Sequence, residues 1–138
     1  MKLRSFGCAL LLACFFSAAL GQRASDAEAA CYKLDGHADA RNCLEQYAKR
    51  SVAILEAAEA ALRTALTRRD EEPASVAREL TAFDAAAKRF RQYRATQCSF
   101  VASLAAGGNA ASDRRLLCEI EVNQTRASHL SPEHLHGA

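Results

Sequence analysis

The sequence predicts an all-α fold, a small bundle of three to four helices arranged as antiparallel hairpins and stapled by two disulfides. Apolar residues recur at three-to-four spacing over long stretches, no stretch alternates β-branched residues as a strand would, and cysteines flank the turn signals. Half of the 138 residues are hydrophobic, but much of this half is alanine, and the aromatic residues are three tyrosines and six phenylalanines. Because so thin a core stabilises a small domain poorly, crosslinks, a metal or oligomerisation usually contribute as well.

The first 21 residues have the pattern of a signal peptide. A short positive region, "MKLR", precedes an apolar run at residues 5–20, and Ala19 and Gly21 supply the small residues that signal peptidase requires. We predict cleavage between Gly21 and Gln22, because the run is short for a membrane-spanning helix and no stop-transfer sequence follows it. "LLAC" loosely resembles a lipoprotein box, so a lipoprotein anchored through Cys14 is the alternative to a periplasmic or secreted protein.

The remaining residues, 22–138, are expected to form one helical domain with a core at 31–130 and a flexible tail at 131–138. Loss of Lys2 and Arg4 with the leader lowers the number of basic residues from 18 to 16, which equals the 16 acidic residues. A formally neutral chain lacks the net positive charge that binding to nucleic-acid phosphates requires. The sequence therefore argues against nucleic acid as a partner, and it predicts no transmembrane segment after removal of the leader.

One short and three long helices are predicted. "SDAEAACYKL" forms the short helix, which ends near Gly36, and the first long helix extends from about 39 to 69, where "RRDEEP" interrupts the apolar pattern. The second extends from Pro73 to about 106, since proline is well suited to the first turn of a helix. "GGN" at residues 107–109 ends it, because glycine adopts the left-handed conformation found after helices. The third long helix covers about 111–130.

Four cysteines remain after Cys8 and Cys14 leave with the leader, and their spacing indicates disulfides. The intervals between Cys31, Cys43, Cys98 and Cys118 are 12, 55 and 20 residues. Zinc sites and thioredoxin-type redox sites place cysteines two to four residues apart, so neither is predicted. An even number of cysteines in a small exported chain is typical of a disulfide framework.

The predicted turns favour one pairing of the four cysteines. Cys98 and Cys118 lie equally far from Gly108, and Cys31 and Cys43 lie equally far from a position beside Gly36. Residues equidistant from the turn of an antiparallel helical hairpin lie side by side, so Cys31–Cys43 and Cys98–Cys118 are the favoured pairs. The other two connectivities stay open, since four cysteines allow three. Each bridge of this size contributes on the order of 3 kcal/mol.

A series of residues along the chain resembles a known family. The series is Cys31, "RNC" at residues 41–43, Phe90, "YR" at residues 93–94, Cys98, "GGN" at 107–109, Cys118, Arg126 and Leu130. In this order it resembles the LprI-like N-terminal domain family, small exported bacterial proteins named after a lysozyme inhibitor. The chain departs from the family where Phe90 replaces tryptophan, Ala87 glutamine, Ala95 an acidic residue and Asn109 serine. The resemblance implies lysozyme inhibition for some members, and Phe90, Tyr93, Arg94, Gly107, Gly108, Arg126 and Leu130 as structural motif residues.

We interpret Phe90 and Tyr93 as core residues, because a platform for stacking bases would need a basic groove. Arg94 lies on the apolar stripe four residues before Cys98, so we interpret it as an anchor between helices with Glu121 as a candidate partner. The alternative is that Arg94 presents its charge to a carboxylate of another protein.

Other charged and metal-binding groups are interpreted as surface features. The basic residues Lys88, Arg89 and Arg91 are expected to be a solvated helix face, with an anionic glycan or membrane surface as the alternative. His134 and His136, with His129 nearby, could bind copper or zinc, but a tail without constraints is the favoured interpretation. No metal and no cofactor are therefore predicted.

The predicted function is that of an exported, non-enzymatic binding protein. No serine–histidine–acid arrangement or other catalytic constellation is present, and the acidic residues lie on expected helix surfaces. By its resemblance, the protein would block a lysozyme-like protein partner, with the "AAGGN" turn at residues 105–109 as a candidate contact. The alternative is a structural or envelope-stress protein that docks on another component of the cell envelope. The sequence leaves the oligomeric state open.

Overall fold

The computed structural model describes residues 23–131, which form four helices. They are α1 (Ala24–Cys31), α2 (His37–Thr67), α3 (Pro73–Ser103) and α4 (Gly108–His129). No strand is present within this range, so the all-α prediction is confirmed. The predicted signal peptide, the Gly21–Gln22 cleavage site, Cys14, His134 and His136 lie outside the described residues.

The helix ends follow from the local sequence. Glu72 precedes α3 and accepts hydrogen bonds from the backbone amides of Ala74 and Ser75, each at 3.1 Å, while Pro73 occupies the first turn. At its other end α3 stops at 103, not at about 106 as predicted. The reason is the backbone of the turn, because residues 106, 107 and 108 all have positive φ, with values of 53°, 91° and 70°.

Helix α4 lies between α2 and α3. It packs along both neighbours, parallel to α2 and antiparallel to α3, whereas α2 and α3 contact each other much less. The ion pairs Arg63–Asp84 and Arg69–Glu79 join α2 and α3 near the turn that connects them. The short α1 packs on α2 and α4. The two long helices therefore diverge from their connecting turn, and α4 fills the space between them.

The core consists of two small clusters of mostly small side chains. The first lies where α1, α2 and α4 meet and contains Ala27, Cys31, Leu44, Ala48 and Ile120. The second lies further along α2 and α4 and contains Leu55, Ala127 and Leu130, with Phe83 and Phe90 of α3 packed against it. Among hydrophobic side chains within residues 23–131, the largest that are fully buried are leucine and isoleucine, so the core is as thin as the composition predicts.

Both favoured disulfides are present, which confirms the predicted pairing. Cys31–Cys43 joins α1 to α2, and Cys98–Cys118 joins α3 to α4, each with Cα atoms 5.5 Å apart. In both cases the bridge closes across the turn that connects its two helices. The first bridge belongs to the first core cluster, whereas the second holds a segment of α3 in which Cys98 is the single buried residue between 88 and 103.

Candidate functional site

Two turns lie side by side at one end of the bundle. We call this surface the turn end and define it as residues 32–36, between α1 and α2, together with residues 105–109, at the junction of α3 and α4. A disulfide joins the two helices that flank each turn; Cys31 directly precedes the first turn, and Cys98 lies seven residues before the second. The guanidinium of Arg41 connects them, because its Nη2 donates to the backbone carbonyl of Asn109 at 3.4 Å.

Asp113 of α4 lies beneath the turn end, on the side of the bundle interior. The residue is only 3% exposed, and its carboxylate is contacted by three polar groups from the α1–α2 region. The Tyr32 hydroxyl donates to Oδ2 at 3.5 Å, His37 places Nε2 3.0 Å from the same oxygen, and Arg41 donates from Nη2 to Oδ1 at 3.4 Å. A buried carboxylate needs such partners. The cluster therefore locks the α1–α2 turn onto α4.

The environment of the Tyr32 hydroxyl disfavours its ionised form. Partial burial, followed by the negative charges of Asp113 and Glu28, raises the pKa of the phenol above its ordinary value of 10.0. Because the phenol stays protonated, it remains a donor to Asp113 at all physiological pH values.

The raised pKa of Tyr32 makes the free energy of unfolding depend on pH. A phenol whose pKa is higher in the folded than in the unfolded chain stabilises the fold below the unfolded value and loses this contribution as pH rises past it. We therefore expect the free energy of unfolding to decrease above pH 10 by more in the native sequence than in Tyr32→Phe. Absorbance titration of the tyrosinates, native minus variant, isolates Tyr32. A Tyr32 component that titrates at or below 10.0 would contradict this expectation.

The backbone of the turn end has a preset shape. Within residues 23–131, positive φ occurs only at Gly36, Ala106, Gly107 and Gly108, all in or beside these two turns. Ala106 is not a glycine, so its left-handed conformation persists because the surrounding crosslinked turn maintains it. A Cβ atom placed on Gly107 or Gly108 would meet no atom within 4 Å, so this turn is a narrow, projecting stretch of backbone.

Arg94, the arginine of the family motif on α3, forms a hydrogen bond between helices. Arg94 donates from Nη1 to Oδ1 of Asn123 at 2.7 Å, and Asn123 in turn donates from Nδ2 to Oγ of Ser51 at 3.0 Å. This network joins α3, α4 and α2. The prediction that Arg94 binds Glu121 is wrong, because positions 121 and 123 are about 200° apart around α4 and position 121 faces solvent.

The two aromatic motif residues have different environments. Phe90 packs against the second core cluster, and the guanidinium of Arg126 lies 5.4 Å from the centre of its ring. Tyr93 is 55% exposed, so the prediction that it belongs to the core is wrong. The reason is that this half of α3 packs mainly on α4, and the covered strip of α3 is too narrow to include position 93.

The basic residues of α3 lie on its exposed face, as expected. Lys88, Arg89 and Arg91 are all exposed, and Nη1 of Arg91 lies 3.7 Å from Glu59 Oε2 on α2. Within residues 23–131 no group of three histidine, cysteine or acidic side chains could hold a metal ion. None of the helices in that range combines the length and apolarity needed to cross a membrane.

Sequence reasoning missed Asp113, Asn123 and Ser51, the buried polar residues. A signal existed for all three, since each stands at a helix position that the apolar spacing of α4 or α2 would assign to the core. The partners of Asp113, in contrast, carried no such signal. Asp113 lies near the start of α4, and its partners are 72 to 81 residues away along the chain.

Comparison with known protein families gives a match over most of the chain. The family model described as lysozyme inhibitor LprI matches residues 27–130, which include both disulfides, the turn end and helices α2 to α4. This match confirms the resemblance found in the sequence. No curated protein and no solved structure matches the chain significantly.

Proposed function

Because the chain belongs to the lysozyme inhibitor LprI family, we propose that it is an exported, non-enzymatic protein that binds a lysozyme-like partner and blocks its cleft. One observation of the structure supports the proposal most directly. The turn end is held in one shape by two disulfides and by the buried Asp113, so it is available as a preformed contact surface.

The physical advantage of such a surface is a low ordering cost. A loop that is already ordered loses little conformational freedom on binding, and more of its contact energy therefore appears as affinity. Glycosidases hold their paired carboxylates on either side of the scissile bond, inside a cleft that accommodates the sugar chain. The narrow backbone at Gly107 and Gly108 suits entry into such a cleft, and the exposed Leu34 on the neighbouring turn supplies apolar contact area.

The two disulfides support export of the protein from the cytoplasm. Disulfides persist in the periplasm and outside the cell, where a lysozyme would be met, and they are rare in reducing compartments. We propose a periplasmic or secreted protein, or a lipoprotein anchored through Cys14 if the leader is processed there.

A lysis assay tests the proposal. The purified exported chain, with its disulfides intact, is titrated against lysozymes of several types while the clearing of a bacterial cell-wall suspension is followed. We expect progressive loss of lytic activity for at least one type. Full activity of every lysozyme at excess protein would refute inhibition.

A pair of matched variants tests the proposed surface. Leu34→Asp places a charge on the turn end, where the native side chain is 46% exposed, and Ile54→Asp makes the same change on α2, away from the turns, at a site 38% exposed. We expect Leu34→Asp to raise the inhibitor concentration for half-inhibition by about tenfold or more, as loss of a central contact does. Ile54→Asp should leave it unchanged. Equal effects would exclude the turn end as the contact.

A second candidate function is docking on another component of the cell envelope. The observation that favours it is charge, because after the predicted cleavage the chain is formally neutral and offers no strong electrostatic attraction to a basic lysozyme beyond Asp70, Glu71 and Glu72. Absence of inhibition in the lysis assay, together with retention of one endogenous envelope protein by the native chain but not by Leu34→Asp, would favour this function.

A further inference from the structure

One disulfide holds the C-terminal end of α3 on the bundle. Among the α3 side chains that pack on a core cluster, Phe90 is the last, and Cys98 belongs to neither cluster. From 95 to 107 no side chain forms a hydrogen bond or an ion pair with another helix. The Cys98–Cys118 bridge is therefore the strongest link between this end of α3 and α4.

Opening of this end would expose little additional apolar surface. Phe100 and Leu104, the largest apolar side chains beyond the bridge, are already 58% and 61% exposed, and Val101 is only partly buried. The turn that follows includes Ala106, whose φ of 53° is unfavourable for a residue with a Cβ atom. Both features lower the free energy of local opening, so the closed conformation depends on the crosslink.

The other disulfide lies in a better packed region. Cys31 belongs to the first core cluster, whose other buried members come from three helices and are Ala27, Leu44, Ala48 and Ile120. The next residue, Tyr32, donates its hydroxyl to the buried Asp113. If this bridge were reduced, the core cluster on one side and the polar cluster on the other would keep the thiols of Cys31 and Cys43 together.

The equilibrium between a disulfide and its two thiols depends on how close the thiols remain after reduction. Thiols that the fold holds together have a high effective concentration and form the bridge again readily, whereas thiols that separate do not. We propose that Cys98–Cys118 is a redox-sensitive latch, which a dithiol reductant opens while Cys31–Cys43 stays oxidised. Opening releases the end of α3 and the turn at 105–109, which is one of the two turns of the turn end.

The reduction is a two-electron exchange with the dithiol. One thiolate of the reductant attacks Sγ of Cys118, because this residue is partly exposed and Cys98 is fully buried. A mixed disulfide forms at Cys118, and Cys98 leaves as a thiolate that takes up a proton. The second thiol of the reductant then loses its proton and attacks the reductant sulfur of the mixed disulfide. Cys118 leaves as a thiolate and takes up a proton, and the reductant becomes a disulfide.

Access of the reductant does not distinguish the two bridges. Cys43 is partly exposed and Cys31 is fully buried, just as Cys118 and Cys98 are. The difference therefore lies in the reduced protein, where one pair of thiols separates and the other stays together.

The effect of the latch on binding rests on the proposed function. The turn at 105–109 is half of the proposed contact surface, and a released turn must become ordered again on binding, which lowers the affinity. In an oxidising compartment the latch is closed and the surface is preformed. Inhibition would thus depend on whether a dithiol reductant is present.

Equilibration of the full exported chain with mixtures of reduced and oxidised dithiothreitol tests the latch without any lysozyme or variant. Acid quenching, labelling of free thiols and peptide mapping give the reduced fraction of each cysteine. We expect Cys98 and Cys118 to be half reduced at a dithiol-to-disulfide ratio about tenfold lower than Cys31 and Cys43, a difference of about 30 mV. Simultaneous reduction of all four cysteines, or earlier reduction of Cys31 and Cys43, would overturn the inference.

Hydrogen exchange shows which part of the chain the latch releases. At the ratio where only Cys98 and Cys118 are reduced, exchange should accelerate in residues 95–109 and stay slow in residues 37–48. Reoxidation should restore the original rates. Exchange in residues 95–109 that does not change on reduction would contradict the proposed opening.

The lysis assay connects the latch with the proposed function. The protein is reduced at Cys98 and Cys118, its free thiols are capped, and the reductant is removed before lysozyme is added. We expect the concentration for half-inhibition to rise at least about tenfold relative to the oxidised chain, because the contact turn is no longer ordered. Unchanged inhibition would refute the regulatory role. If the oxidised chain also inhibits no lysozyme, the proposed function alone fails, because the cysteine mapping decides the latch independently.

Discussion

Replacing Cys98 and Cys118 together by alanine is expected to lower the free energy of unfolding by about 3 kcal/mol. The bridge closes a loop of 20 residues between α3 and α4, and its removal enlarges the unfolded ensemble. Alanine is the suitable replacement because Cys98 is fully buried and serine would bury a hydroxyl there. Urea denaturation of the native and the double-variant proteins measures the difference, which corresponds to a decrease in melting temperature of roughly 12 °C or more for a domain of this size.

The part of the protein that loses protection from hydrogen exchange should differ between the two disulfides. The C-terminal half of α3 buries little besides Cys98, so loss of the bridge should increase hydrogen exchange in residues 93–103 far more than in α2. Replacing Cys31 and Cys43 by alanine is the matched control, with a similar loss of stability but with faster exchange confined to α1. Uniform acceleration in both variants would contradict the assignment of separate roles to the two bridges.

Replacing Asn123 by leucine is expected to destabilise the protein by about 3 kcal/mol. Asn123 is fully buried, accepts from Arg94 at 2.7 Å and donates to Ser51 at 3.0 Å. Leucine has a similar volume but accepts no hydrogen bond, so the guanidinium of Arg94 would keep its position beside α4 without its acceptor. The measurement is again urea denaturation. The slope of the unfolding free energy against urea concentration is compared between the native protein and the variant, and equal slopes establish that unfolding exposes the same amount of surface in both.

A double-mutant cycle distinguishes loss of the hydrogen bond from loss of packing. Arg94→Met removes the charge while keeping an apolar stem, and the double variant Arg94→Met/Asn123→Leu replaces both partners with apolar groups. We expect the double variant to be more stable than Asn123→Leu alone. A loss equal to the sum of the two single losses would mean that the network does not couple the helices.

Local patterns predicted most of the secondary structure correctly. Apolar spacing, Pro73 and the glycine pair at 107 and 108 located the four helices and their turns, because these features act within a few residues of one another. The disulfide pairing followed from the same information, since equal distance from a turn places two residues of a helical hairpin side by side. The largest error at a helix end was at α1, which ends at Cys31 and not near Gly36. Helix α3 ends and α4 begins three residues earlier than predicted, and the left-handed backbone between them starts at Ala106 and not at Gly107.

The sequence by itself determined the helices, their turns, the two crosslinks and the family resemblance, all of which depend on short-range spacing or on an ordered series of residues. Only the tertiary structure decided which polar side chains are buried and which apolar side chains are exposed. Asp113 and its partners come from distant parts of the chain, and Tyr93 is exposed because α4 lies between the diverging α2 and α3 and covers only one side of the latter. The physical reason is that burial depends on how neighbouring helices are placed, and helical periodicity specifies a face but not what covers it.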